Sequence, residues 1–347
     1  MKSLHRRLLL AAIILLTIAL AAFLIPIIVM PSGPYPRLMV YCAHDSIYAE
    51  GILKDFTART GIRVYVRYDT EATKSLGLVE LLLREKEAPR CDLFWNNELL
   101  GTVRLQKAGV LQPYKGSGWQ RIPDAYKDPA GAWTGFGGRM RVYIINTQRM
   151  AADPAKVQEH LASADLSRVA IAKPLYGTTF TQYALLHRLW GEEKLKAWHA
   201  DCRKRGISEV GGNAQVKNVV ASGDCDLGFT DSDDCCGAMD EGKPVAMLPL
   251  RLDDGKTICI PNTISIIKGT KRLAQAQALA DYLLSAECEM ALAKSESRQI
   301  PLGPVDEKAL PEDVKQLKEW AAEGCSMAGL GPDADATLAW LKSVYVQ

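Results

Sequence analysis

The sequence predicts an α/β protein of two lobes with a ligand cleft between them, preceded by an apolar N-terminal helix. Three observations carry that reading. Strand, helix and strand patterns follow one another within about thirty residues, the signature of a βαβ unit and a parallel sheet. The same alternation restarts after residue 141. Two polar runs, Phe94-Trp95-Asn96-Asn97-Glu98 and Thr230-Asp231-Ser232-Asp233-Asp234, close apolar strand-like segments more than a hundred residues apart. Open α/β sheets bind ligands outside the carboxyl ends of their strands, so two such edges imply a cleft.

Each element follows from its residues. Leu38 to Cys42 is an apolar strand, and Ile47, Tyr48, Ile52, Leu53 and Phe56 recur at helical spacing until Gly61. Ile62, Val64, Val66 and Tyr68 alternate with Arg63, Tyr65, Arg67 and Asp69, a period-two strand. A helix through Leu76, Val79, Leu82 and Leu83 leads to the strand Asp92 to Trp95. A turn-rich stretch, Gly116 to Gly138, precedes the strand Arg141 to Asn146. The second half reads as a strand Val169–Ala172, helices over Thr178–Trp190 and Ala214–Ala221, and strands Asp226–Thr230 and Val245–Leu248. A long apolar strand, Ile258–Ile267, is interrupted by Pro261-Asn262, and helices over Leu273–Leu284, Glu287–Lys294, Pro311–Ala322 and Ala334–Val344 end the chain.

The chain has 347 residues, enough for two domains of ordinary size, and is 48% hydrophobic and 24% charged. A formal net charge of +2, with no basic stripe interleaved with aromatics, gives no electrostatic case for nucleic acid. Lys2, His5, Arg6 and Arg7 precede an uninterrupted apolar run from Leu8 to Met30. That run is long enough to span a bilayer, which takes ~20 residues. It reads as an uncleaved anchor or a cleaved signal; in both cases the rest is exported, to the periplasm or cell surface, because the positive charges stay inside. Pro31 to Pro34 is the linker. Nine cysteines, with no C-x-x-C, are expected to form one or two structural disulfides plus buried thiols.

The candidate site residues sit at strand ends. Lys173 to Thr179 lies between a strand and a helix, where Gly177 permits close approach and Thr178 and Thr179 start the helix. Free N–H groups and the helix dipole there favour an anion, although ordinary threonine capping explains the same residues. Asp231, Asp233 and Asp234 offer carboxylates to a hard cation or simply cap a helix. His44 and Asp45 follow the first strand, and Asn96, Asn97 and Glu98 the third. No P-loop, G-x-S-x-G, H-E-x-x-H or dinucleotide fingerprint occurs, and Cys42 with His44 lacks an orienting third group, so no enzyme is expected.

These residues also carry a resemblance. Val40-Tyr41 with His44-Asp45, Phe56-x-x-x-Thr60-Gly61-Ile62-x-Val64, Tyr68-Asp69-Thr70-Glu71-Ala72-Thr73-Lys74, Asp92 to Glu98, and Gly109 to Tyr114 appear in order. Pro174 to Thr179, Gly223-Asp224, Thr230 to Asp234, Ile260 to Thr263 and Ile300-Pro301-Leu302 follow. Together they resemble the family-1 extracellular solute-binding proteins of ABC importers, in the ferric-iron-binding branch, over about 38–305.

The resemblance implies the type II periplasmic-binding fold, with 36–140 and 264–347 as one lobe, 141–263 as the other, and hinges near 138–142 and 262–266. It implies a monomer that delivers its ligand to an ABC permease and its ATPase, with no cofactor and ferric ion as the transported ligand. The branch's histidine position falls at Asp45, beside His44, and its glutamate position at Asn97, beside Glu98. Its tyrosine pair falls at Asp233 and Asp234, and its synergistic-anion position at Gly177, Thr178 and Thr179. The ligand set therefore departs from the branch: carboxylates stand where tyrosines would. Asp45, Glu98, Asp233 and Asp234 become the candidate metal ligands, or the seat of an amine-bearing solute. Cys42, Cys235 and Cys236 flank the same edges and would suit a softer metal. Thr70, Glu71, Asn96, Asn97, Thr178, Thr179, Asn213, Asp231 and Asn262 complete the expected ligand-binding set. Alternatives are an amine- or phosphate-bearing organic solute as ligand, or an anchored sensor using the same fold.

Overall fold

A computed structural model of the chain describes residues 37–69 and 76–346. The expected N-terminal anchor, the linker, and Thr70 and Glu71 lie outside the described residues. Among those described, no helix is long and apolar enough to cross a membrane.

The elements run β1 Leu38–Cys42, α1 Ser46–Thr60, β2 Val64–Tyr68, α2 Leu76–Arg84, β3 Leu93–Asn96, α3 Leu100–Lys107, β4 Leu111–Gln112, α4 Ser117–Arg121 and β5 Thr134–Asn146. Then come α5 Pro154–Ala162, β6 Val169–Ala172, α6 Gly177–Trp190, α7 Glu192–Lys204, β7 Ser208–Val210, α8 Asn213–Ala221, β8 Leu227–Asp231 and α9 Ser232–Asp240. The chain ends with β9 Val245–Pro249, β10 Cys259–Ile267, α10 Leu273–Leu283, α11 Ala286–Lys294, α12 Glu312–Ala322 and α13 Gly331–Tyr345.

The expected βαβ unit is present: β1 pairs in parallel with both β2 and β3. The strand order is β2-β1-β3-β10-β5-β8-β6-β7, with β4 on β10 and β9 on β5. β5 joins the two halves. Its residues Thr134 to Met140 pair with β10, and Arg141 to Ile145 pair with β8. All thirteen of its residues are buried, so its polar side chains must find partners inside the protein.

β10 is continuous, not interrupted at Pro261-Asn262. The register shifts there because Pro261 faces Gly138 while Asn262 faces Phe136, leaving Gly137 as an extra residue. Gly137 has φ +49, and a Cβ there would come within 2.6 Å of Gln299 Oε1. A bulge in the strand pair thus absorbs a proline that would otherwise break the ladder.

Helix α7 escapes a simple apolar reading because only Leu195, His199 and Cys202 are buried along it, a narrow stripe at i, i+4, i+7. α5 is set by Pro154 at its first turn and by Asp153, whose carboxylate accepts from Ala155 N and Lys156 N. α13 packs on α6, where Asp333 meets His187 and Arg188, and reaches α3 through Lys107 and Asp335. The expected disulfides do not form: eight of the nine cysteines are buried thiols and Cys325 is half-buried. Burial raises the Cys236 and Cys259 thiols to about 12, so they are packed as apolar groups.

Candidate functional site

The starts of four helices meet at one cavity of about 160 Å³, lined by Asp45, Ile47 and Tyr48 of α1, Gly177, Thr178 and Thr179 of α6, Asn213 and Ala214 of α8, and Asp233 and Asp234 of α9. Asn97, Arg139, Lys173, Tyr176, Lys217 and Asp231 add further polar groups to the lining. Each helix begins where a strand ends, so its free N–H groups and positive dipole end face the same space.

Asp231 terminates β8 and occupies the N-cap position of α9 without bonding the helix itself. Its carboxylate turns to Arg141 instead, accepting from Nη1 at 2.8 Å, and from Thr178 Oγ1 at 2.6 Å and Asn213 Nδ2 at 3.0 Å. Arg141 is fully buried, and its Nε donates to Gln182 Oε1 at 3.0 Å. Thr179 Oγ1 donates to Asn213 Oδ1 at 3.1 Å. These bonds form a floor beneath the cavity that ties β5, β8, α6 and α8 together.

A second guanidinium lies two residues earlier on β5, on the same face of the strand. Arg139 places Nη1 3.3 Å from Asp233 Oδ2. Its Nη2 donates to Asn262 Oδ1 at 2.9 Å and to His44 Nδ1 at 3.2 Å. His44 is buried, stacks on Trp95 with ring centroids 5.3 Å apart, and has the Gln299 amide 2.9 Å from Nε2. A guanidinium and an amide nitrogen only donate, so Arg139 and Gln299 compete for the single acceptor nitrogen of a neutral His44 ring. Burial works against the Arg139 charge, but Asp233, Asp231, Asp45 and Asp234 more than offset it and raise its pKa.

Asp231, Asp233 and Asp234 can bring three carboxylate oxygens within 4.8 Å of one another, and Asp234 Oδ2 accepts from Thr230 Oγ1 at 2.9 Å. Tyr48 stands beside them. Burial first, then the charges of Asp233, Asp234 and Asp45, hold its phenol neutral. A tripositive ion among these carboxylates would sit close to Arg139, and a +3/+1 pair about 5 Å apart repels by on the order of 10 kcal/mol at an effective dielectric of ~20.

Not every expected residue faces the cavity. Asp45, Asn97, Gly177, Thr178, Thr179, Asn213, Asp231, Asp233 and Asp234 line it. His44 and Asn262 sit behind Arg139 as its hydrogen-bond partners. Asn96 and Glu98 do not line it. Glu98 caps α3, accepting from Gly101 N at 2.7 Å and from Leu100 N, while Asn96 Nδ2 donates to Glu98 Oε1 at 3.1 Å. Tyr48, Arg139, Arg141, Lys173 and Lys217 were not anticipated. The legible signal was Arg139-x-Arg141: two charges on one face of an otherwise apolar strand require buried partners.

Residues 38–295 match the profile of the bacterial extracellular solute-binding proteins. The chain belongs to that family. It is a solute-binding protein and not an enzyme, with the two-lobed fold of periplasmic binding proteins. It is 24% identical over 307 residues to iron uptake protein A1 of Synechocystis sp., covering 84% of this chain and 81% of that one. Iron-bound HitA from Pseudomonas aeruginosa superposes with a TM-score of 0.75 at 21% identity, over 90% of this chain and all of that one. AfuA from Actinobacillus pleuropneumoniae, solved with fructose-6-phosphate bound, gives 0.74 at 19% identity, over 89% and 98%. At these identities the structural likeness is one of fold.

Proposed function

We propose that this chain is the extracytoplasmic ligand-capturing component of an ABC importer, handing a small organic solute with an anionic head group to a permease and its ATPase. The observation that carries it is the convergence of four helix starts, with Lys173 and Lys217, on one cavity. Such N-termini are ready-made seats for phosphate or carboxylate oxygens. The partner change along β5 at Met140/Arg141 supports a lobe boundary there. It also supports hinge closure over the ligand, which is driven by the ligand's greater affinity for the closed form. The chain acts as a monomer, exported or tethered through residues 8–30.

A second reading, ferric ion with a synergistic anion, is favoured by the three clustered carboxylates and by what the printed names of its relatives say they bind. Thermal unfolding separates the two. Phosphate- and carboxylate-bearing solutes, with and without an amine, are compared with ferric ion plus phosphate. A ligand at ~100 times its dissociation constant adds about 2.7 kcal/mol. Protection by an organic anion without metal supports the first reading, and protection that requires iron supports the second. Protection by neither would favour an anchored sensor.

A further inference from the structure

We propose that a second cavity, linked to the first through Arg141 and Gln182, is an accessory binding site for a small neutral aromatic compound carrying a carbonyl group. The strand register lays out its base. Arg141 stands opposite Asp231, and two residues along β5 on the same face Tyr143 stands opposite Phe229. The first pair underlies the cavity already described. The second, with its rings edge to face and 5.2 Å apart, lines a separate cavity of about 210 Å³. Gln182, Leu186 and Trp190 of α6, Trp198 of α7, and Leu250 enclose the same space.

Two buried polar groups face that space without a partner. Gln182 and Tyr143 are 2% and 8% exposed, and both line the cavity. Arg141 Nε donates to Gln182 Oε1 at 3.0 Å. That bond fixes the amide: its oxygen faces the guanidinium, and its NH2 is turned away from it. Among the described residues, neither that NH2 nor the Tyr143 hydroxyl has a hydrogen-bond partner. Folded proteins rarely leave buried polar side chains unsatisfied, so the two mark a place for a ligand acceptor.

The remaining wall selects the ligand. Phe229, Leu186, Leu250 and the two indoles favour a flat apolar ring. The charged lining groups Arg205, Arg251 and Asp253 are already paired with Asp201, Glu323 and Lys194. An ionised ligand buried against the apolar wall would lose more hydration than two neutral donors return. The space is sufficient, because a cavity of ~150 Å³ with similar walls admits a benzene ring. Water would satisfy Gln182 and Tyr143 but leave the indoles and leucines hydrated. An aromatic ketone or amide covers the wall and offers an acceptor oxygen in one molecule.

The test irradiates the full chain with para-azidoacetophenone, a one-ring ketone that crosslinks on illumination, and maps the labelled peptides by mass spectrometry. Labelling should fall on α6, α7 and the segment around Leu250, and it should saturate. Acetophenone should displace it several-fold more effectively than ethylbenzene, which lacks the acceptor. Tyr143→Phe removes one donor. Gln182→Glu removes the other while keeping an acceptor for Arg141. Each should raise the acetophenone concentration that halves labelling about threefold to tenfold, the worth of one hydrogen bond. Leu186→Trp, which fills the space, should abolish the label. Labelling that never saturates or spreads over other segments would overturn the proposal, as would equal competition by the two compounds in the wild type and both donor variants. Should Leu186→Trp fail to fold, the donor variants decide. The outcomes are independent of the capture reading: protection by an organic anion reports on the first cavity, and the label reports on the second.

Discussion

The ends of β3 and β8 look alike in sequence and do different work. Both are apolar strands that stop in polar runs, Asn96-Asn97-Glu98 and Asp231-Ser232-Asp233-Asp234. After β3 two of the three polar groups turn back on their own backbone, while Asn97 lines the cavity: Asn96 Oδ1 accepts from Asn97 N, and Glu98 caps the helix that follows. After β8 the cap position is given up, and Asp231 reaches across to Arg141 and α6. The difference is the partner strand. β3 lies between β1 and β10, whereas β8 lies against β5, whose Arg141 stands opposite Asp231. A polar strand end becomes part of a binding site where a neighbour supplies opposite charge, and a structural cap where it does not.

The largest effect should come from removing Asp231. Asp231→Ala strands the buried Arg141 and should cost about 3–5 kcal/mol in urea unfolding, the usual result of breaking a buried pair from one side. Replacing Asp231 and Arg141 together by leucine and methionine should recover most of that loss; no recovery would mean that the whole floor network, and not the pair, sets the cost.

Glu98→Ala should cost about 1–3 kcal/mol by orphaning the first N–H groups of α3, with ligand affinity unchanged. Burial outweighs its hydrogen bonds and raises the Glu98 carboxyl above the usual 4.5. A raised carboxyl keeps its proton in the folded chain over a range where the unfolded chain has released it. Its contribution is therefore full below 4.5 and is lost as pH rises through the folded value. Glu98→Gln should accordingly gain on the wild type in urea midpoints as pH rises above 4.5. A wild type that gains on the variant would mean the carboxylate is ionised on α3.

Asp234→Asn should reverse the pattern seen at Glu98. The residue is half-buried and faces the cavity, so stability should change by no more than about 0.5 kcal/mol, while affinity for an amine-bearing solute falls at least ~10-fold. A large loss of stability would place the β8 end with the β3 end as structural. The smallest effect belongs to Lys173→Ala. Lys173 is exposed, so it should weaken capture of an anionic solute only several-fold, and the difference should fade in high salt.

Much of the fold was legible because it is local. Period-two and helical spacing marked β1, α1, β2 and α6 to within two residues, and the cavity-lining loop Lys173 to Thr179 stood out by its glycine and threonines. α7 and β7 were missed because one buries a thin stripe and the other has only three residues, all half-buried. Pro261 was read as a break because the bulge that accommodates it belongs to the partner strand, at Gly137.

By itself the sequence determined the α/β class, the two strand-end clusters and the absence of catalytic signatures, all of which follow from side-chain type and short-range spacing. The tertiary structure decided which carboxylates are already answered. Arg139 and Asp233 are 94 positions apart in the chain, yet a guanidinium on β5 and a carboxylate in the first turn of α9 meet at 3.3 Å, both buried. No periodicity encodes that contact. Charge compensation is a long-range pairing, and it exists only once β5 and β8 lie side by side.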